Sequence, residues 1–388
     1  MALKVKDLLE LQSLQGLELV SGEKGMERLV YSAGIADYEF APDVNYHNDN
    51  AFEKESFVIS SLLFAQNDSK RILDAVQNLY NMGISAFAYK KVIYDELPEE
   101  VIAFSNKMNL PIFSFGPERY FENIIYEIME AVQREDTQLL AEENIKKMIE
   151  NELAKDEVTR ISKSISLLFK KNAMAAYIKS FAKGSKLDMP RIFRNFYLNK
   201  SLKNKAMLCR YNKGLFIILT SDYEEEEKFE LILGEAMESL SIDREKVYVA
   251  RGNIYRPYEE LDRCLREAYQ TFAASATDNK DYGQFNEIGS FKYLIPLKDS
   301  YALNEFSEGI LQPILDKEEY LNTVITLVIN NGDITSTALE CNCHQNTIRY
   351  RLSKVRELIG ASGKTEFEFY NELSTAVRIY LLKKQAAL

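Results

Sequence analysis

Tryptophan is absent from this sequence of 388 residues, which has only two histidines and four cysteines. Two histidines leave little choice for a Ser-His-Asp triad or for a structural zinc site, which normally has four ligands. The cysteines are too few and too unevenly spaced for a disulfide framework, which fits a reducing compartment. Walker A and Rossmann glycine patterns are also missing. We therefore predict no catalytic residue, no metal site and no cofactor.

Glycine and proline are scarce, at 16 and 8 residues, while hydrophobic residues make up 46% and charged residues 28% of the chain. This composition excludes collagen-like and low-complexity disordered classes. A chain of this length predicts two or three globular domains, at roughly 150 residues each.

Long hydrophobic runs are lacking. The longest, residues 57–65, contains Ser60 and Ser61 and is far shorter than the roughly 20 residues that cross a bilayer. Lys4 and Lys6 stand where a signal peptide would need an apolar run. We expect a cytoplasmic protein with no membrane partner.

Positive charge is in deficit over the whole chain, whose net charge is −11, but not at its C-terminal end. Residues 317–388 carry nine Lys/Arg against eight Asp/Glu, a balance of +1 that leaves −12 for the rest. Such an asymmetry indicates one specialised end.

The first part of the chain, residues 1–130, alternates short apolar runs with helical patterns. Strands are predicted at 57–59, 86–89 and 111–115, and helices at 72–82 and 99–109. Regular alternation of this kind predicts an α/β domain with a largely parallel sheet.

The next part, residues 131–169, is predicted as a helical linker. Residues 118–183 contain neither glycine nor proline, and the pattern from Phe121 to about Phe169 predicts one or two long helices. Its apolar seam is too patchy for a regular coiled coil.

Two further domains are predicted, an α+β domain over residues 170–300 and an all-helical domain over residues 315–388. The first has strands at 173–178, 206–209, 215–219 and 247–250, with a hairpin turn at Lys213-Gly214, and a helix after Pro257. The second has four helical patterns and no strand pattern.

Residues 332–360, GDITSTALECNCHQNTIRYRLSKVRELIG, have the layout of a helix-turn-helix: a short helix, a tight turn and a longer helix. If Ile348, Leu352, Val355 and Ile359 point inward, the longer helix presents a polar, basic open face. The residues expected on or beside that face are Gln345, Asn346, Thr347, Arg349, Tyr350, Arg351 and Lys354.

Amide side chains can pair with base edges, while Thr, Tyr, Arg and Lys suit phosphates. We therefore predict that these seven residues bind double-stranded DNA together with His344, which is expected to cap the longer helix. The alternative is a solvated basic face on an ordinary helical bundle.

The string His344-Gln345-Asn346-Thr347-Ile348-Arg349-Tyr350-Arg351-Leu352 resembles the recognition helix of PucR-type (CdaR-like) transcriptional regulators. The segments LKVKDLLEL and SGEKGMERLV look like the family's N-terminal purine-catabolism-regulator domain, and VYVARGNIYRPYEELDRCLREAYQTF resembles its central GGDEF-like domain. The resemblance implies a multidomain fold: an α/β sensor domain, a helical linker, a GGDEF-like α+β domain and a helix-turn-helix domain.

The same resemblance implies a ligand-responsive, sequence-specific transcription regulator of a catabolic pathway for purines or related nitrogen compounds. A small-molecule effector and a homodimer, or a higher homo-oligomer, are the implied partners. Glu39 matches an acidic position of the family, and Ser60 and Ser61 follow a predicted strand, so these three are candidate ligand-binding residues.

Two departures from the family pattern stand out. Lys54-Glu55-Ser56 and Ser60-Ser61 replace the family's Gly-Glu-rich approach to a Thr-Thr-Gly turn, and the central domain has no GGDEF sequence. The second departure argues against cyclic-dinucleotide synthesis.

Other interpretations remain open at this point. One is a metabolic enzyme built on the N-terminal α/β domain, with the C-terminal helices as an assembly module; another is a protein-binding scaffold. Cys341-Asn342-Cys343-His344 places three soft metal ligands together, although small residues packing a turn explain it better. The acidic run 224–227 is interpreted as a solvated helix start.

Overall fold

The structure is a computed structural model that describes residues 3–41, 51–181 and 186–386. The chain divides into two compact units, residues 1–140 and 141–388, and one long helix contributes residues to both. Each unit is described by itself. No helix in the described ranges is both long and apolar enough to cross a membrane.

The first unit is built on a five-stranded sheet in the order β1-β5-β4-β3-β2. Strands β2 to β5 run parallel to their neighbours, and β1 is antiparallel to β5. The strands are β1 (Glu18–Ser21), β2 (Ser32–Ile35), β3 (Ser56–Ser60), β4 (Ala86–Lys90) and β5 (Ile112–Phe115), and the helices are α1 (Val5–Leu8), α2 (Lys70–Met82), α3 (Glu99–Met108) and α4 (Phe121–Glu150).

Helices cover both faces of this sheet. Phe57 and Ile59 of β3 face α1 and α4, whereas Val58 faces α2 and α3. Because both faces are buried, β3 is a continuous apolar run, as in other parallel sheets. The predicted α/β domain is therefore observed, and α2 ends, as expected, at Gly83, which has a φ of 89°.

The predicted helical linker is helical, but it is packed. Helix α4 ends at Glu150 and α5 (Lys155–Ile165) follows after a short break. Met148 of α4 and Ile161 of α5 belong to a core cluster under the central sheet. The second half of this segment is thus part of the second unit, because its apolar residues match the apolar face of that sheet.

The second unit contains a mostly antiparallel sheet in the order β10-β9-β6-β8-β7, in which only the β9–β10 pair is parallel. Its strands are β6 (Asn172–Ser180), β7 (Ala206–Tyr211), β8 (Gly214–Ser221), β9 (Val247–Tyr255) and β10 (Tyr282–Gln284), with helices α6 (Met189–Leu198), α7 (Lys200–Lys203), α8 (Glu226–Ser239) and α9 (Pro257–Thr277). Met174 of β6 packs with α6 and α8 on one face, and Tyr177 packs with α5 and α9 on the other.

The hairpin turn between β7 and β8 lies one residue earlier than predicted. Asn212 and Lys213 occupy it, with φ values of 43° and 62°, while Gly214 already pairs with Tyr211. Two consecutive positive φ angles are the requirement of a type I′ turn, whose twist matches that of the strands. The prediction of a Lys213-Gly214 turn was therefore wrong in register.

The described C-terminal part of the chain, residues 291–386, contains helices and no strand, as predicted for residues 315–388. Its helices are α10 (Phe291–Leu294), α11 (Tyr301–Leu311), α12 (Glu318–Ile329), α13 (Ile334–Glu340), α14 (Gln345–Leu358) and α15 (Glu366–Ala386). Ile379 and Leu382 of α15 pack against Ala274 of α9, and Arg378 Nη1 donates a hydrogen bond to Ser290 Oγ at 3.0 Å. The helical bundle therefore shares a core with the helix that supports the central sheet.

Candidate nucleic-acid interface

Asp333 is the N-cap of helix α13, and its carboxylate accepts a 2.7 Å hydrogen bond from the Ser336 backbone N–H. The hydrogen bonds from Ser336 hold the pKa of this carboxyl below its usual value. The chain then turns through Asn342, which has a φ of 50°. Asparagine tolerates this left-handed conformation better than other non-glycine residues, so the turn between the two helices forms without glycine.

His344 is the N-cap of helix α14, as expected. Its Nδ1 accepts a hydrogen bond from the Asn346 backbone N–H at 3.2 Å, which satisfies one free donor of the first turn. Ile348 and Val355 are fully buried, and Leu352 and Ile359 are half-buried, so the inner face lies where it was predicted. The predicted helix-turn-helix is thus present in the structure.

Three exposed residues lie in the first two turns of α14. Asn346 and Arg349 are exposed, as is Tyr350 at 60% exposure. Arg349 Nη1 donates a hydrogen bond to Asn346 Oδ1 at 3.2 Å. These side chains form a polar surface that an approaching ligand can reach.

Gln345 and Thr347 are half-buried, and Gln345 links the two helices of the motif. Its Nε2 donates a hydrogen bond to Thr335 Oγ1 of α13 at 3.1 Å. This contact holds the start of α14 against the start of α13.

Arg351, predicted on or beside the open face as a DNA-binding residue, instead contacts α12. Its guanidinium forms an ion pair with Glu319 of α12 and donates a hydrogen bond to Thr323 Oγ1 at 3.2 Å. The side chain is only 17% exposed. The reason is helix periodicity. Arg351 is three residues beyond the buried Ile348, so the two side chains lie on the same inward-facing side of the helix.

The other two basic residues of α14, Lys354 and Arg356, differ from each other. Lys354 is half-buried and pairs with Glu357 at 2.9 Å, a contact that raises the lysine pKa. Arg356 donates to the backbone carbonyl of Ala361 and forms an ion pair with Glu366. Arg356 therefore stabilises the end of α14.

Glu319 and Thr323 are residues of this region that sequence analysis missed. They lie 32 and 28 residues before Arg351. Nothing in the local spacing indicates the pairing, because it depends on how α12 and α14 cross.

In the first unit, Ser60 and Ser61 converge on Asp37 at the carboxyl ends of β3 and β2. The Asp37 carboxylate accepts hydrogen bonds from Ser60 Oγ at 2.7 Å, from Ser61 Oγ at 2.8 Å and from the Ser61 backbone N–H. Sequence analysis missed Asp37. It follows strand β2 as the two serines follow β3, and because β2 and β3 are parallel neighbours, their carboxyl ends lie at the same edge of the sheet.

Glu39 lies in a short 3-10 turn, Tyr38–Phe40, and is half-buried. Its Oε2 is buried and has no hydrogen-bond partner among the described residues. It is not part of the Asp37 hydrogen-bond cluster. Residues 42–50, which follow in sequence, lie outside the described part of the chain.

Cys341 and Cys343 are free and half-buried. Within the described ranges, no three His, Cys, Asp or Glu side chains are grouped closely enough to hold a metal ion. The histidine at position 47 lies outside those ranges.

Comparison with known proteins gives matches at both ends of the chain. The profile of the purine catabolism regulatory protein-like family matches residues 7–132, and that of the PucR C-terminal helix-turn-helix domain matches residues 320–379. Residues 133–319, which include the central sheet, lie outside both matched ranges.

Two curated relatives come from Bacillus subtilis (strain 168). The uncharacterized protein YsfB is 37% identical over 57 residues, which is 15% of this chain and 16% of that protein. The proline-responsive transcriptional activator PutR is 26% identical over 138 residues, or 33% of this chain and 34% of that protein. The chain thus covers about a third or less of the length of each relative.

Among solved structures, a regulator of polyketide synthase expression from Bifidobacterium adolescentis shares 19% sequence identity. The match covers 62% of this chain and 91% of that chain, with a TM-score of 0.31, a value too low to support an argument on fold.

The resemblance predicted from sequence is confirmed at both ends, while a GGDEF-like central domain stays a prediction. The chain therefore carries a domain of the purine catabolism regulatory protein-like family at its N-terminal end and a PucR C-terminal helix-turn-helix domain at its C-terminal end.

Proposed function

We propose that this protein is a ligand-responsive, sequence-specific DNA-binding transcription regulator. The observation that carries the proposal is the set of exposed polar residues at the start of α14. This helix is the second helix of a helix-turn-helix that matches the profile of the PucR C-terminal helix-turn-helix domain. In this motif the N-terminal residues of the second helix contact base edges in the major groove. The relative PutR, a transcriptional activator by name, supports the same class, and both domain matches fit a protein that is not an enzyme.

His344, Arg349 and Tyr350 are proposed to contact DNA directly, because their side chains are exposed, and the exposed Asn346 lies beside Arg349 on the same surface. Gln345, Thr347 and Lys354 are half-buried and flank that surface. Arg351 is proposed to support DNA binding indirectly, because its ion pair with Glu319 holds α14 against α12.

The regulator is proposed to bind as a homodimer. One helix-turn-helix with so few free basic residues neutralises few phosphates and should bind weakly alone. Two copies would place their α14 helices about 34 Å apart on a palindromic site. A regulator of this kind works where the chromosome is, in accord with the expected cytoplasmic location.

The N-terminal unit is proposed as the sensor of a small nitrogen-containing metabolite. The family description refers to purine catabolism, and the relative PutR is named as proline-responsive. The site is proposed at the carboxyl ends of β2 and β3, where Asp37, Ser60 and Ser61 meet and Glu39 leaves one carboxylate oxygen unpaired. The central domain is proposed as a GGDEF-like module that lacks the sequence for cyclic-dinucleotide synthesis.

DNA binding is tested by sequencing the fragments that co-purify with the full chain, followed by anisotropy titrations at several salt concentrations. We expect enrichment of a palindromic site and an affinity that falls steeply with salt. Arg349→Ala should weaken this binding. Arg160→Ala, which removes an exposed arginine of α5, is the control and should bind as the wild type does. A folded wild-type protein without salt-sensitive DNA affinity would contradict the proposal.

The sensor is tested by thermal shift of the full chain against a panel of nitrogen metabolites. Asp37→Ala should abolish the shift produced by any hit, because it releases both serines. Asp74→Ala, at an exposed aspartate of α2, is the matched control and should leave the shift intact. A hit that persists in Asp37→Ala would place the sensor elsewhere.

A further inference from the structure

The basic residues of α14 are not equally free to meet DNA. Arg351 and Arg356 pair with Glu319 and Glu366, and Lys354 pairs with Glu357. Within the described part of the chain, Arg349 has no carboxylate at salt-bridge distance. Arg349 is therefore the basic side chain of this helix whose charge is not already offset by an acidic neighbour.

Arg349 is also placed where a recognition helix reads bases. It is the fifth residue of α14, on the exposed side of the helix. Residues in the first turns of such a helix face base edges, whereas those further along lie near the phosphates. Its position thus favours a base contact over a purely electrostatic role.

Asn346, one turn earlier, holds the guanidinium of Arg349. Asn346 Oδ1 accepts the 3.2 Å hydrogen bond from Arg349 Nη1, and both residues are exposed. A guanidinium has five N–H donors in a rigid fork. One contact to Asn346 therefore leaves enough donors for a bidentate contact, and it restricts the directions in which the fork can point.

We propose that Arg349 recognises a guanine in the major groove and that Asn346 is a positioning residue for its guanidinium. Guanine presents two acceptors there, O6 and N7, and the arginine fork matches both. This inference rests on the proposed function and deepens it by naming the base that α14 selects.

The test is selection of duplexes from a random pool by the full chain, in the wild type and in the variants Arg349→Ala, Arg349→Lys and Asn346→Ala. The wild type should select one guanine in each half-site, and replacing it should weaken binding by about 5- to 150-fold. Both Arg349 variants should lose that preference, because lysine keeps the charge but not the planar fork. Preferences at the other positions should remain.

Lys354→Ala is the matched control, since it removes one positive charge from the same helix. It should lower the affinity for all sequences alike and keep the guanine preference. Replacing the selected guanine with 7-deazaguanine, which lacks N7, should weaken binding of the wild type and leave binding of Arg349→Ala unchanged.

The role of Asn346 is tested by a double-mutant cycle. Asn346→Ala should reduce the guanine preference without changing the salt dependence, and it should have no further effect in the Arg349→Ala background. Loss of preference at a different base pair in Asn346→Ala would overturn the positioning role.

Two outcomes would overturn the assignment of Arg349. An unchanged guanine preference in both Arg349 variants would show that another residue reads that base. A wild-type chain that enriches no sequence would instead contradict the proposed function itself, and this inference with it. Melting temperatures of the variants confirm that each is folded, which the exposure of both side chains leads us to expect.

Discussion

Arg351 of α14 and Glu319 of α12 form an ion pair across the helix-turn-helix domain, reinforced by the hydrogen bond from Arg351 Nη1 to Thr323 Oγ1. Arg351 is two residues from Arg349, yet the two arginines point to opposite sides of the helix. One is held inside the protein, and the other is exposed.

Arg351→Ala should therefore weaken DNA binding by loosening the contact between α14 and α12. We expect the salt dependence of affinity to change by clearly less than one unit, whereas Lys354→Ala, which removes a charge near the phosphates, should reduce it by about one. Anisotropy titrations over a range of salt concentrations measure both slopes. Equal slopes for the two variants would show that Arg351 contacts phosphate after all.

The pair itself can be measured by a double-mutant cycle on stability with Arg351→Ala and Glu319→Gln. Because Glu319 is 63% exposed, solvent screens the interaction and the coupling should be only about 0.5–1 kcal/mol. Urea unfolding of the four proteins gives this value. A coupling of zero would mean that the two residues do not stabilise the helix crossing.

Leu139→Pro should disconnect effector binding from operator binding. Leu139 lies within α4, whose Ile128 belongs to the core of the first unit and whose Met148 belongs to the core of the second. A proline inside a helix costs about 3 kcal/mol and breaks it locally. A hit from the metabolite screen should shift operator affinity in Leu139→Ala but not in Leu139→Pro. An equal shift in both would exclude α4 as the route.

The four cysteines should fall into two reactivity classes. Cys209 and Cys264 are buried, and burial raises the pKa of the Cys209 thiol to about 12 and that of Cys264 still further. Little thiolate forms at neutral pH, so these two should resist alkylation. Cys341 and Cys343 are half-buried and should react. Peptide mass spectrometry of native and denatured protein checks this, and native labelling of Cys264 would contradict it.

Asp278→Asn should stabilise the protein at neutral pH. Burial raises the pKa of the Asp278 carboxyl, an effect only partly opposed by Lys280 and Arg378. The folded state therefore penalises the ionised form, and the carboxyl lowers stability as the pH rises above its unfolded pKa of about 3.9. The advantage of the variant should vanish near pH 3. Thermal melts at both pH values test this, with Asp74→Asn as the exposed control.

The sequence was sufficient to predict most of the local structure. The run 57–59 is β3 because only apolar residues suit a strand buried on both faces, and Ile348 and Val355 define the inner face of α14 by their spacing. Each of these assignments depends on residues within a few positions of one another, where helix and strand periodicity apply directly.

Tertiary structure alone decided which side chains meet. Arg351 pairs with Glu319, which is 32 residues away in sequence, and Asp37 accepts a hydrogen bond from Ser60, which is 23 residues away. The second half of the predicted linker joins the core of the central sheet in the same way. Sequence periodicity specifies the face of an element but not the element that will cover it, because that choice depends on the packing of whole helices and strands. The sequence by itself thus determined that this protein has a helix-turn-helix with a basic second helix, and only the fold decided which of its arginines is free to face DNA.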